Sequence, residues 1–69
     1  MPEFYMRLKE CRLKKGLSQK DMAERLGITI RAYQYYEQGK RFPDFQGLLT
    51  IADVLESSID YLVGRTDEP

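Results

Sequence analysis

Apolar residues recur along this chain mostly at intervals of three and four residues, the spacing that gathers side chains on one face of an α-helix. Glycines interrupt the pattern where helices would end, namely at Gly16, Gly27, Gly39 and Gly64. Residues that favour a helix start precede the next apolar stretch, namely Ser18, Thr29, Asp44 and Ser58. The pattern predicts an all-α fold of five helices: one ending at Gly16, two over 19–26 and 30–38, one after Asp44, and a short one before Gly64.

One face of each helix is expected to form the core. The first helix contributes Phe4, Leu8, Cys11 and the stem of Lys15, with Cys11 taken as a small buried residue rather than a reactive thiol. The other expected core positions are apolar and share helical spacing: Met22, Ala23, Leu26, Ile28, Phe45, Leu48, Leu49, Ala52, Leu55, Ile59, Leu62 and Val63.

Two short helices, over 19–26 and 30–38, are separated by only three residues that include Gly27. This arrangement predicts a helix-turn-helix, in which the small Ala23 lies where the two helices approach closely. No repeat or linker divides the chain. We therefore expect one domain over residues 1–64, with the helix-turn-helix at about 18–38 and a frayed tail over 65–69.

The composition excludes several classes of function. The 69 residues include one cysteine and no histidine, which excludes an intrachain disulfide, a zinc site and a histidine-dependent triad. The sequence has no paired nucleophile and base and no phosphate-binding glycine loop, so neither an enzyme nor a metal or cofactor is expected. It also lacks an apolar run long enough for a membrane span or signal peptide, and a soluble cytoplasmic protein is expected.

The charged residues are sorted along the chain although the formal net charge is zero. Residues 1–43 hold ten lysines and arginines against five acidic residues, whereas residues 44–69 hold one against six. This asymmetry favours a face that binds a polyanion and an end kept away from it. Ordinary scatter of charges over solvated helix surfaces is the alternative.

Four segments, in order, carry a resemblance to a known family: L-S-Q at 17–19, A-E-R-L-G at 23–27, E-x-G-K-R-x-P at 37–43 and I-D-Y-L-V-G at 59–64. Residues 4–64 resemble the lambda-repressor-like (Cro/CI, XRE-type) helix-turn-helix family. The resemblance implies sequence-specific binding of duplex DNA as a dimer, usually to regulate transcription, with the third helix in the major groove. It also implies a buried ion pair between Arg12 and Glu37.

The chain departs from the family pattern at three places. Tyr33 stands where Ile or Val is usual, Ile30 replaces a polar residue, and Glu56-Ser57-Ser58 replaces Gly-Val-Ser before the last helix. Glu56 at a left-handed position would be strained, and Ser57 stands where an apolar core residue is expected. We therefore expect a less stable C-terminal end than in relatives, with DNA reading retained.

The third helix divides its tyrosines between two sides at 100° per residue. Tyr33 and Tyr36 fall beside Glu37 and are expected in the core, with hydroxyls that need a partner. Tyr35 points outward. Because a stacking platform for single strands needs several aromatic residues on one open face, this division argues against one.

The outward side of the third helix holds the candidate base-reading residues, namely Arg31, Gln34, Tyr35 and, near the helix start, Ile30. Arg31 can donate two hydrogen bonds to guanine, Gln34 can pair with adenine, and Ile30 can pack on a thymine methyl group. Tyr35 can reach either a base or a phosphate. The alternative for each residue is a solvated helix surface, or, for Ile30, a cover over the turn.

Phosphate contacts are expected at two places. Ser18 and Gln19 open the second helix, whose free N–H groups attract a phosphate. Lys40 and Arg41 follow the third helix in a loop close to the expected duplex, unless they only keep that loop solvated.

Dimer contacts are expected in the acidic half, distal to DNA, and the candidates are Val54, Ile59, Tyr61 and Val63. The resulting hypothesis is a homodimeric transcription regulator that binds a palindromic operator in double-stranded DNA, as repressors of phage or mobile-element type do. An antitoxin-like or other protein-binding module on the same fold is the alternative.

Overall fold

The computed structural model describes residues 2–69 and confirms the all-α fold. Its five helices are α1 (Pro2–Lys14), α2 (Gln19–Leu26), α3 (Ile30–Gln38), α4 (Phe45–Leu55) and α5 (Ile59–Leu62). The described residues form no β-strand, and none of their helices combines the length and apolar character needed to span a bilayer.

Side-chain caps fix the starts of four helices. At α2, the Ser18 hydroxyl accepts the N–H of Asp21 and the Asp21 carboxylate accepts the N–H of Ser18, both at 2.9 Å. The backbone hydrogen bond from Ser18 is the main cause that lowers the pKa of Asp21. Thr29, Asp44 and Ser58 each accept the N–H three residues further on, at the starts of α3, α4 and α5. These caps explain why the helix starts could be located from sequence.

The core gathers side chains from all five helices. Its buried apolar residues are Phe4, Leu8, Met22, Ala23, Tyr33, Leu48, Ile51, Leu55 and Leu62. Ala23 of α2 is 1% exposed and Tyr33 of α3 is fully buried, so both helices of the helix-turn-helix contribute residues to the core. The inward placement of Tyr33 is confirmed.

The prediction for α4 is wrong at three positions, of which one is Leu49, expected in the core but only half-buried and outside the core cluster. Phe45 was expected in the core but is 72% exposed, whereas Ile51 was not predicted and is fully buried. Phe45 is the first residue of α4, and helical side chains lean toward the N-terminus, so its ring lies beyond the core rather than over it. The buried stripe is Leu48, Ile51 and Leu55, a spacing of three and four.

The inner face of α1 also differs from the prediction. Arg12, four residues after Leu8, is only 7% exposed, while Cys11 is half-buried at the edge of the core. Lys15 lies outside and pairs with the Glu56 carboxylate. A charged residue is accepted in the interior because Glu37 neutralises it there, as described below.

The tail after α5 is held against the fold, contrary to the expectation that it is frayed. Arg7 Nη1 donates to the carbonyl oxygens of Tyr61 and Thr66, each at 2.6 Å, and Arg7 Nη2 pairs with the Asp67 carboxylate at 2.8 Å. The guanidinium can satisfy several acceptors at once because its donors lie in one plane. Nothing in the sequence pattern distinguishes Arg7 from the other charged residues of α1.

The turn between α4 and α5 carries the two unfavourable features expected from the sequence. Glu56 ends α4 in the left-handed region at φ 53° and ψ 42°, and no other non-glycine residue in the described chain has a positive φ. The Ser57 hydroxyl is buried, and no described residue hydrogen-bonds to it. Both features destabilise the turn.

Replacing Glu56 by glycine is expected to raise the free energy of unfolding by about 1 kcal/mol, because glycine adopts the left-handed conformation without strain. The change also removes the exposed pair with Lys15, which is worth little. Glu56→Ala is the control, since it loses the pair and keeps the strain. Urea denaturation should rank glycine above alanine, and equal midpoints for the two variants would show that the backbone is not strained.

Candidate nucleic-acid interface

A buried ion pair joins α1 to α3 beneath the helix-turn-helix. Arg12 Nε donates to Glu37 Oε2 at 2.6 Å and Arg12 Nη2 donates to Glu37 Oε1 at 3.1 Å. The side chains of Arg12 and Glu37 are only 8% and 4% exposed. Arg12 Nη1 also donates to the carbonyl oxygen of Leu17, just before α2. The guanidinium therefore fixes α3 and the entry to α2 from one point.

Hydrogen bonds decide the charge state of this buried pair. Burial alone would raise the pKa of Glu37, but hydrogen bonds from Arg12, Tyr33 and Gln19 outweigh it, and the pKa is lowered. The hydrogen bond to Glu37 is likewise the main cause that raises the pKa of Arg12. Burial and the neighbouring Glu37 carboxylate raise the pKa of Tyr33, so its hydroxyl stays protonated and donates to Glu37 Oε2 at 2.5 Å.

Gln19 and Gln34 extend this network from the interior toward the surface. Gln19 Nε2 donates to Glu37 Oε1 and Gln34 Nε2 donates to Gln19 Oε1, both at 3.1 Å. Both glutamines are half-buried. The structure therefore turns Gln34 toward α2, whereas the helix period alone placed it on the outward side with Arg31. The second side-chain N–H and the side-chain carbonyl oxygen of Gln34 take no part in this contact.

The start of α2 is partly occupied by the protein's own groups. The N–H of Ser18 donates to the Asp21 carboxylate, and the side chain of Gln19 is engaged with Glu37 and Gln34. An anion at this end would therefore meet mainly the backbone N–H groups of the first turn, since only one side-chain N–H of Gln19 is left free.

The exposed side of α3 and the following loop form one surface, which we call the α3 surface, consisting of Ile30, Arg31, Tyr35, Lys40 and Arg41. Arg31, Lys40 and Arg41 are exposed, and Ile30 is 42% exposed. Arg31 Nε donates to the Tyr35 hydroxyl at 3.2 Å. An open cleft of about 490 Å³ runs along this surface beside Gln34 and Gln38. The surface has three cations and no carboxylate, which suits a polyanion.

The two other tyrosines of α3 lie away from this surface. Tyr33 is buried, and the half-buried Tyr36 packs edge-on against it with ring centroids 6.2 Å apart. Only Tyr35 of the three therefore contributes to the α3 surface.

The four dimer candidates belong to the acidic half of the chain, in α4, α5 and the residue after α5, and three of them, Val54, Ile59 and Val63, pack against the core. Val54, Ile59, Tyr61 and Val63 are all half-buried. The Arg7 guanidinium lies 4.1 Å from the Tyr61 ring centroid, so one face of Tyr61 is covered within the chain.

Comparisons with known proteins agree with this architecture. The family model described as Helix-turn-helix matches residues 8–62. The chain is 47% identical over 66 residues, 94% of its length, to the uncharacterized HTH-type transcriptional regulator YqaE of Bacillus subtilis (strain 168). It is 47% identical over 53 residues, 74% of its length, to the cryptic phage CTXphi transcriptional repressor RstR of Vibrio cholerae.

The fold also resembles a solved structure of the master regulator for biofilm formation SinR in complex with DNA. The match has a TM-score of 0.78 and 28% sequence identity, and covers 87% of this chain and 97% of SinR. In contrast, the chain spans 57% of the length of YqaE and 47% of the length of RstR.

Proposed function

Because the chain belongs to the XRE-type helix-turn-helix family of transcriptional regulators, we propose that it binds double-stranded DNA sequence-specifically and represses transcription as a homodimer. The α3 surface is the single observation that carries the proposal, since it joins exposed cations to side chains suited to base edges. The similarity to SinR, which was solved with DNA, and to a phage repressor supports it.

Within the α3 surface we assign the base contacts to Arg31 and Ile30. Arg31 Nη1 and Nη2 lie on the side of the guanidinium away from its Nε contact, so they can donate together to guanine O6 and N7. Ile30, near the start of α3, is suited to a thymine methyl group. Gln34 can still pair with adenine through its remaining N–H and its carbonyl oxygen. Tyr35 lies among these residues and directly contacts Arg31.

We assign the phosphate contacts to Lys40 and Arg41 in the loop, to the Ser18 hydroxyl and to the backbone N–H of Gln19, because the Ser18 N–H already donates to the Asp21 carboxylate. Phosphate contacts set the register of a protein on DNA without reading its sequence. Lys40 and Arg41 are exposed and follow α3 after Gly39, which supports their assignment to the phosphates of a duplex that meets Arg31. The backbone N–H groups at the start of α2 add hydrogen bonds to a phosphate without a charged side chain.

Selection of bound duplexes from a random pool tests the function directly. The proposal requires one enriched sequence with two inverted half-sites centred about one helical turn apart. No enriched sequence, with equal affinity for all duplexes, would contradict sequence-specific binding. The enriched palindrome can then be located in the source genome to identify the regulated promoter.

The dimer is proposed to form through Val54, Ile59, Tyr61 and Val63, because a symmetric pair of domains doubles the DNA site that one small domain can read. Val54→Asp should weaken self-association at least tenfold in sedimentation experiments, since a carboxylate would be desolvated in the interface. Phe45→Asp, at the other end of α4, is the matched control and should sediment like the parent. A parent protein that stays monomeric at high concentration and binds DNA as one copy per site would contradict the dimer.

A further inference from the structure

Tyr35 contacts both groups of residues in the proposed interface: Arg31, assigned to the bases, and the loop cations Lys40 and Arg41, assigned to the phosphates. Its hydroxyl accepts a hydrogen bond from Arg31 Nε at 3.2 Å. Its ring centroid lies 5.6 Å from Lys40 Nζ and 5.9 Å from Arg41 Cζ. Its carbonyl oxygen accepts the N–H groups of Lys40 at 2.9 Å and Arg41 at 3.3 Å. One residue therefore contacts the base-reading arginine and both cations of the loop.

We propose that Tyr35 is a positioning residue of the DNA-contacting surface, whose hydroxyl orients Arg31 toward a guanine and whose ring holds Lys40 and Arg41 beside the phosphates. This inference rests on the proposed DNA-binding function. Tyr35 then acts through Arg31 and the two loop cations and makes no base contact of its own.

The hydroxyl contact selects one orientation of the arginine. A guanidinium is planar, and a bidentate contact to guanine needs both Nη groups directed at O6 and N7. The hydrogen bond at Nε uses one of the three N–H groups that such a contact leaves free, and it sets the rotation of the plane. Arg31 is exposed and on its own would sample many rotamers. Fixing it before DNA arrives reduces the entropy lost on binding.

The ring contact acts on the loop cations in a different way. Lys40 and Arg41 are both within about 6 Å of the Tyr35 ring, the range in which a cation is attracted to an aromatic face. The same loop is tied to α3 by the Tyr35 carbonyl, which any side chain at position 35 would retain. Tyr35→Phe therefore removes only the hydroxyl, whereas Tyr35→Leu removes both the hydroxyl and the ring.

The test measures the binding of three variants, Tyr35→Phe, Tyr35→Leu and Arg31→Ala, to three DNAs. The DNAs are the selected duplex, random DNA, and the selected duplex with one guanine replaced by 7-deazaguanine. The replaced guanine is the one that the Arg31→Ala protein no longer distinguishes from other bases. Tyr35→Phe should weaken binding of the selected duplex about 3–10-fold and leave random DNA unaffected. It should also shrink the penalty for 7-deazaguanine, and it should have no added effect in the Arg31→Ala background. Tyr35→Leu should additionally weaken binding to random DNA. Tyr36→Phe is the matched control and should bind every duplex like the parent.

An equal loss from Tyr35→Phe with and without Arg31 would overturn the proposal, because Tyr35 would then contact DNA itself. Full affinity and full discrimination in Tyr35→Phe would also overturn it. A second readout needs no DNA: exchange of the Arg31 Nε proton, followed by nuclear magnetic resonance, should be faster in Tyr35→Phe than in the parent. Failure of the parent to select any duplex would refute the proposed function, whereas unchanged proton exchange would refute the positioning contact alone.

Discussion

Replacing Glu37 by alanine is expected to lower the free energy of unfolding by about 3–5 kcal/mol, enough to unfold much of a domain this small. The carboxylate accepts hydrogen bonds from Arg12, Tyr33 and Gln19, and its side chain is only 4% exposed. Its removal leaves the Arg12 guanidinium charged in the interior and two neutral donors without their acceptor. Thermal and urea unfolding, followed by circular dichroism, measure the loss.

Two further variants separate the buried charge from the lost packing. Arg12→Met combined with Glu37→Ala should recover part of the stability, because the methionine fills apolar space and leaves no buried charge. Glu24→Ala, an exposed glutamate of α2, is the matched control and should change stability by no more than about 0.5 kcal/mol. A Glu37→Ala protein that melts like the parent would show that the pair does not stabilise the fold.

The same pair predicts how stability depends on pH. The pKa of Glu37 is lowered in the folded protein from its ordinary value of 4.5, so the unfolded state binds the proton more readily. The resulting stabilisation is complete above that ordinary value and is lost as the pH falls through the lower folded pKa. In the double variant Arg12→Met with Glu37→Ala, this acid-sensitive part of the stability is absent.

Local signals explain how much of the fold could be predicted. Helix starts depend on a hydrogen bond between residues three apart, as at Ser18 and Asp21, and helix ends depend on single left-handed residues such as Gly39. Each of these signals depends only on residues within one short segment of sequence. The helix-turn-helix follows from such signals, the inward Tyr33 follows from the helical period, and the left-handed Glu56 follows from the family pattern; the structure contains all three.

The remaining features depend on contacts between residues far apart in sequence. Arg7 reaches Thr66 across 59 positions, and the pattern of α1 contains nothing that indicates this acceptor. Gln34 turns toward α2 because Gln19 offers it a carbonyl oxygen, which outweighs the outward direction given by helical periodicity. Phe45 belongs to the apolar stripe of α4 by period, yet the core ends before it. Periodicity specifies a face, and only tertiary packing specifies which part of that face is covered.

Replacing Arg31 by alanine is expected to weaken binding to the preferred duplex by about 1–3 kcal/mol and binding to random DNA far less. On the preferred duplex the arginine loses a matched guanine, whereas on random DNA it has no such partner to lose. Discrimination should relax at one base pair in each half-site. Arg65→Ala, an exposed arginine at the acidic end, is the matched control and should leave both affinities unchanged.

Lys40→Ala and Arg41→Ala should have the opposite signature, because a phosphate contact does not depend on sequence. Each should weaken specific and random binding about equally and reduce the slope of log affinity against log salt by about one unit per protomer, hence about two in a dimer. Titration of both DNAs at several salt concentrations measures the affinities and the slopes together. If Arg31→Ala weakened both DNAs equally and lowered the salt slope as the loop variants do, Arg31 would be a phosphate contact, and the base-reading role of the α3 surface would have to move to Ile30 and Gln34.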